Sequence, residues 1–320
     1  MIIALAAIAS AIFMGINIGG NNAAAAMGAA YGARARTKRQ AVILIAVFSL
    51  LGAILSGEDV IRTLGEGIVP GNTITLVAAI IATSAAAISL FIGNVLKVPI
   101  SASQSAVGAI VGIGIFYGIL DIQLLSKIVG WWIATPVLAF VLAYLSGKYI
   151  HPRLVVWLVE HESEAQIRST IKKLLIVSGC YVAYSAGANN AANAVGPLVG
   201  AGFMEPGTGA IVGGLALGIG AILIGGRILE TVGTEIAEIC TIRAIFIEVI
   251  AAIIVHSASI AGIPVALGQL VPAAIIGIGC ANKGFATMNN KTVRRIVVMW
   301  VTSPLLAGLL AYSAIRLVYL

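Results

Sequence analysis

The sequence predicts an all-α integral membrane protein: about ten transmembrane segments in two inverted five-segment repeats, with helices broken at the bilayer midplane. Three observations carry that prediction. Of 320 residues, 60% are hydrophobic and only 10% charged, whereas soluble domains carry roughly 25% charged residues. Apolar runs of about 20 residues, long enough to cross a bilayer, recur throughout. The second half of the chain also repeats the first.

The apolar runs lie at 1–32, 41–56, 73–96, 98–119 and 128–146, and again at 174–202, 210–226, 245–260, 263–281 and 296–319. They divide the chain into a first repeat, 1–146, a linker, 147–173, and a second repeat, 174–320. The linker, "GKYIHPRLVVWLVEHESEAQIRSTIKK", mixes an amphipathic run with many charges and suits a cytoplasmic connection along the membrane surface. The N-terminal "MIIALAAIASAIFMG" has no basic stretch before its apolar run, so it reads as a retained helix rather than a signal peptide. Cys180, Cys240 and Cys280 have no metal-ligand spacing and read as small packing residues.

Adding 168 to the residue number carries Gly19, Asn21, Asn22 and Gly28 onto Gly187, Asn189, Asn190 and Gly196. The same offset carries Thr63 and Gly65 onto Thr231 and Gly233, and Trp132, Pro136 and Tyr144 onto Trp300, Pro304 and Tyr312. Between these blocks an offset of 165 aligns Pro99 with Pro264 and Gln104 with Gln269. A unit with an odd number of crossings must be repeated upside down. The loops on one side then hold sixteen Lys and Arg residues, and those on the other hold three, Arg62, Lys127 and Arg316. The positive-inside rule makes the crowded side cytoplasmic, with both termini outside the cell membrane. Topology thus accounts for the net charge of +7, and no nucleic-acid partner is implied.

Two stretches stand out as polar within apolar surroundings: "GINIGGNNAAAAMG" at 15–28 and "AGANNAANAVGPLVG" at 186–200. Gly19, Gly20 and Gly187 permit an unwound backbone, after which Asn21 or Asn22 can cap a restarting alanine-rich helix. The free N–H groups of such a start bind anions. Asn189, Asn190 and Asn193 supply the same groups in the second copy. Pro99 and Pro264 suit the first turn of two further helices, after which come Ser101, Ser103, Gln104 and Ser105 in one copy but only Gln269 in the other. The site is therefore expected to be asymmetric. The competing reading makes the asparagines interhelical glue; their mirrored pairing beside glycines favours a binding site.

These stretches resemble the PiT family of inorganic phosphate transporters, whose halves each carry a GANDxANA-like stretch and a later P-x-S-T-x-H-like stretch. The resemblance covers nearly the whole chain, and its most specific element is "GANNAANAVGP" at 187–197. It implies a membrane carrier for phosphate or a similar oxyanion, with site residues drawn from those stretches. The departures are systematic. Asn22 and Asn190 stand where the phosphate carriers have Asp, and Gln104 and Gln269 where they have His. Ala25 replaces an Asn that Asn193 supplies in the second copy, while Arg62 takes the first Glu position of a G-x-x-V-x-E-T pattern whose second is kept by Glu230. "MGINIGGNNAAAAMGAAYGARA" and "GEDVIRTLGEGIVPGNTITL" look more like the sulfate permease branch. Sulfate is fully ionised at neutral pH and offers only acceptors, so a carboxylate would repel it while Asn and Gln amides can donate.

The expected function is secondary active uptake of an inorganic tetrahedral oxyanion, sulfate before phosphate. Moving a dianion against a negative-inside potential of 100 mV costs about 4.6 kcal/mol, so H+ or Na+ must drive uptake. Glu230 is the candidate for ion coupling. Glu248 and His256, near the ends of an apolar run, read as interfacial residues or lesser candidates for that role. A phosphate symporter and a passive anion channel are the alternatives. No nucleophile with its base, carboxylate cluster or metal-ligand set is evident, so no enzyme and no cofactor are expected. The partners are the oxyanion, the bilayer and, if the chain associates, a second copy of itself.

Overall fold

The computed structural model describes residues 1–70, 73–95, 101–229, 241–289 and 291–319, and among these every regular element is helical. The first half contains α1 (Ile2–Gly32), α2 (Lys38–Ser56), α3 (Glu58–Arg62), α4 (Leu76–Val95), α5 (Ala102–Tyr117) and α6 (Ile122–Leu145). The second contains α7 (His151–His161), α8 (Glu164–Gly200), α9 (Pro206–Gly220), α10 (Thr241–Ile260), α11 (Leu267–Lys283) and α12 (Lys291–Tyr319). α3, α6 and α9 each run on into a π-turn, at Thr63–Gly67, Ser146–Ile150 and Ala221–Gly225.

Side-chain caps set several starts. Thr37 and Gln40 form a reciprocal capping box at α2, as do Ser163 and Gln166 at α8. Ser101 caps α5 and Asp121 caps α6. The Ser163 cap starts α8 at Glu164, ten residues before the expected 174, and α6 continues through its π-turn and α7 to His161. The 147–173 connection is thus helical apart from Glu162 and Ser163.

Seven of the described helical stretches are long and apolar enough to cross a membrane, among them Ile2–Gly32, Lys38–Ser56 and Thr241–Ile260. α5 and α11 have 16 and 17 residues. At 1.5 Å per residue each extends only about 24–26 Å, short of a hydrocarbon core of about 30 Å. α11 starts beside a non-helical segment at the second motif, where the sequence placed a helix restart, and Ser101, immediately before α5, is extended.

At the first motif the structure corrects the sequence. α1 and α8 are unbroken α-helices through Gly19–Asn22 and Gly187–Asn193. Alanine is the strongest helix former, and the alanine-rich runs carry the helices across. The glycines serve packing instead of unwinding. A Cβ on Gly19 would overlap the carbonyl oxygen of Leu217 on α9, and one on Gly187 would overlap that of Ser49 on α2; Gly20 faces the Ile224 side chain. Small residues of this kind let membrane helices approach backbone to backbone.

These close approaches are reciprocal. Ser49 and Leu217 are themselves 168 apart, so each motif glycine meets its counterpart's partner in the other half. Gly52 against Tyr184 and Gly220 against Ile16 obey the same rule, as do Gly112 against Gly308 and Gly277 against Phe140 once the 165 offset applies. Correspondingly, α2 packs on α8 and α9 on α1, while α5 packs on α12 and α11 on α6.

Candidate anion site

Three segments converge around α8. α10 ends at Ile260 in a left-handed turn at Gly262 (φ 67°), where Gly262 N–H donates to Ser259 O and Ile263 N–H to Ala258 O. Non-helical backbone then runs to Ala266, the N-cap of α11. This segment presents main-chain polar groups to α8, and Asn189 satisfies two of them.

Asn189 is fully buried and fully committed. Its Nδ2 donates to Ser259 Oγ and Ile263 O, each at 3.0 Å, and its Oδ1 accepts from Val265 N–H at 3.0 Å. Backbone buried at membrane depth must be satisfied by protein or water, and Asn189 does so. In this structure its amide holds the 259–265 segment against α8.

One turn on, Asn190 and Asn193 meet Ser103 of α5. Asn193 Nδ2 donates to Ser103 Oγ and Asn190 Oδ1, both at 3.1 Å. The Ser103 hydroxyl lies 2.8 Å from Val265 O and 3.3 Å from Asn190 Oδ1, so its one proton is shared between two acceptors. With Oδ1 so held, the orientation of the Asn190 amide is fixed, and its Nδ2 forms no hydrogen bond with the described residues. The cluster is buried, Asn190 being 3% exposed. It contains amides and a hydroxyl but no carboxylate.

Gln104 and Gln269 sit elsewhere. Both, 2% exposed, floor a groove of about 550 Å³ between α6 and α12, whose walls include Trp132, Ile133, Trp300 and Val301. Gln104 Oε1 accepts from Ser303 Oγ at 3.4 Å, while Gln269 Oε1 has no partner among the described residues. The named walls of that groove are apolar, and apolar walls cannot solvate a dianion.

The remaining predicted residues are accounted for as follows. Ser101 is buried and caps α5, its Oγ accepting from Gln104 N–H at 3.3 Å. Ser105 is buried with its hydroxyl unpartnered among the described residues. Asn21 and Asn22 are half-buried within α1 and cap nothing. Pro264 precedes the α11 cap instead of occupying the first helical turn; its carbonyl accepts from Trp132 Nε1 at 2.9 Å. Arg62 is exposed and paired with Glu58 at 2.6 Å, a hydrogen bond that raises the guanidinium pKa further. Pro99 and Glu230 lie outside the described residues.

Sequence reasoning missed Ser259, Ile263 and Val265, two of which contribute only backbone groups that no side-chain pattern reveals. Trp132 carried a signal: it belongs to the mirrored Trp132–Trp300 pair.

Residues 18–311 match the model of the phosphate transporter family. The chain is 39% identical to a protein of Bacillus subtilis named "Sulfate permease CysP" over 314 residues, 98% of this chain and 87% of the relative. Its fold is similar to a solved structure titled "The sodium-dependent phosphate transporter", with a TM-score of 0.88 at 23% identity, covering 100% of this chain and 99% of that one. With both the membrane-spanning architecture and the motif cluster in place, the chain belongs to the phosphate transporter family.

Proposed function

We propose that the chain is a secondary active carrier for inorganic tetrahedral oxyanions, sulfate ahead of phosphate, driven by an H+ or Na+ gradient. The observation that carries this reading is Asn190. Its amide is oriented by Ser103 and Asn193 so that a donor is left unspent inside a buried, carboxylate-free cluster. Sulfate presents only acceptors and needs donors at that position, whereas hydrogen phosphate also presents a proton that an acidic group could accept. The Bacillus subtilis sulfate permease relative supports the same preference.

We read the carrier as two inverted copies, 1–146 and 174–320, facing one site in the cell membrane. The reciprocal glycine contacts support this, since each pairs a residue with the other half's counterpart. Ser103 bridges the copies: it belongs to the first, while Val265, Asn190 and Asn193 belong to the second. Opening the site requires these bonds to give way.

The test is counterflow of labelled sulfate in proteoliposomes, with phosphate, thiosulfate, molybdate and unlabelled sulfate as competitors. Sulfate should compete best, and internal unlabelled sulfate should accelerate entry. Phosphate outcompeting sulfate would overturn the substrate assignment, and uptake indifferent to internal sulfate would indicate a passive pore.

A further inference from the structure

We infer that the pocket between the end of α1 and the first turns of α8 is a regulatory site for a small phosphate monoester, separate from the asparagine cluster. The regulatory half of this inference rests on the transport reading above; the binding half does not. Arg34 at the end of α1, Glu164, Arg168 and Lys172 of α8 and Thr241 at the start of α10 line a pocket of about 400 Å³, with apolar side chains such as Ile167 completing the wall. Pockets of about 300–1,000 Å³ suit small organic ligands. A bare tetrahedral ion would leave most of this one empty, since a single water takes up only about 30 Å³.

The charges there are spare. Three cations accompany one carboxylate, and no ion pair joins any of the four to a described residue. Glu164, Arg168 and Lys172 follow one another at four-residue spacing on one face of α8, where the neighbouring cations Arg168 and Lys172 repel. The balance is two positive charges, which a phosphate monoester matches with about −1.5 to −2 at neutral pH. Guanidinium forks such as those of Arg34 and Arg168 grip phosphate oxygens in pairs.

Arg34 supplies an independent observation. It is the one described non-glycine residue with positive φ, at 53°, and its counterpart one repeat on is Gly202, at 69°. Glycine adopts that conformation without strain, whereas an L side chain does not. Arg36, Lys38 and Arg39 already give this end of α1 and α2 its basic charge at ordinary φ, so the positive-inside pattern leaves the strain at Arg34 unexplained. Strain retained at one residue points to function, and here it places a guanidinium at the pocket. Arg168 and Lys172 are likewise not inherited from the repeat. Glu164–Ser169 precede Thr170, the equivalent of Ile2 where α1 begins, and Lys172 stands where the first copy has Ala4.

The pocket joins the helices that hold the anion cluster shut. α8 packs on both α1 and α10, and Asn189 of α8 bonds Ser259 and Ile263 at the other end of α10. A phosphate gripped by α1 and α8 beside Thr241 fastens the three helices together, so it binds the closed arrangement better than one in which they have moved apart. Such a difference in affinity is what a ligand needs to shift a conformational equilibrium. Occupancy therefore slows transport, from the face expected to be cytoplasmic.

The full chain, purified in detergent, is titrated calorimetrically with adenosine 5′-monophosphate, and with adenosine as the phosphate-free control. The wild type should bind the monophosphate and not adenosine. Arg168→Gln combined with Lys172→Gln should weaken binding by about tenfold or more without lowering sulfate counterflow, and Arg34→Gly should weaken it while melting later than the wild type. In proteoliposomes, adenosine 5′-monophosphate on both faces should slow wild-type sulfate counterflow about fivefold or more, and should not slow the double variant. Liposomes with and without phosphatidic acid distinguish the sources of the phosphate. Inhibition by the nucleotide in both assigns a soluble ester, whereas slowing by phosphatidic acid alone, lost in the double variant, assigns a lipid headgroup. Failure of both phosphates to bind, or binding that survives the double substitution, would overturn the site; binding with no effect on counterflow would overturn its regulatory role. Absence of wild-type counterflow with nucleotide binding intact would instead sink the transport reading.

Discussion

Asn189 and Asn190 are neighbours of identical chemistry, yet α8 makes different groups of them. Helical geometry turns them about 100° apart, so Asn189 faces the irregular backbone at 261–266 and Asn190 faces Ser103. Asn189→Ala leaves Val265 N–H and Ile263 O without their partner, at about 1–3 kcal/mol for each unsatisfied buried group. It should lower the melting temperature of the purified protein in detergent, with transport falling in step with folded protein. Asn190→Ala removes an unspent donor and two acceptor contacts; sulfate counterflow should drop by about tenfold or more, while the loss of stability stays near 1 kcal/mol. Equal melting losses in the two variants would remove the distinction.

At the scale of the helix, glycine position predicts stability. Gly19→Ala and Gly187→Ala push a Cβ into a backbone carbonyl of α9 or α2, and overpacking costs about 1–3 kcal/mol. Both should melt earlier by similar amounts because their contacts are reciprocal. Gly207→Ala in α9 and Gly130→Ala in α6 meet no atom within 4 Å and should be neutral or stabilising. The helix ends hold a second reciprocal pair. α1 and α8 finish in the same hydrogen-bonded turn, with Arg34 (φ 53°) in one and Gly202 (φ 69°) in the other, exactly one repeat apart. A left-handed conformation costs a non-glycine residue roughly 1–2 kcal/mol, so Arg34→Gly should raise the melting temperature.

Across the whole molecule, loops expected on the same side of the membrane contact one another. Arg34 lies beside Glu164, Arg168 and Lys172 around one pocket, and Tyr144, which accepts a hydrogen bond from Lys148, lies against Phe285. At the other end, Asp121 N–H donates to Ile68 O, Thr75 meets Tyr319, and Gly262 abuts Asp59. Single cysteines at Arg34, Lys38 and Lys283 should therefore label with an impermeant reagent only from the cytoplasm, and cysteines at Glu58 and Asp121 only from outside. Mixed labelling within either set would undo the proposed orientation.

What the sequence determined by itself was periodic and compositional. Apolar runs mark the helices, and the 168-residue offset pairs residues of one half with their counterparts in the other. These features are local or are repeated along the chain, so no coordinates are needed to see them. Only the tertiary structure decided whether a glycine unwinds a helix or lets another helix approach, and Gly19 and Gly187 do the latter. It also separated Asn189 from Asn190, set Gln104 and Gln269 on an apolar groove, and carried Glu248 from an apparent membrane edge into a buried contact with Ser178. Each of those outcomes depends on which neighbour a residue faces across a helix interface, and a linear sequence carries no direct record of that direction.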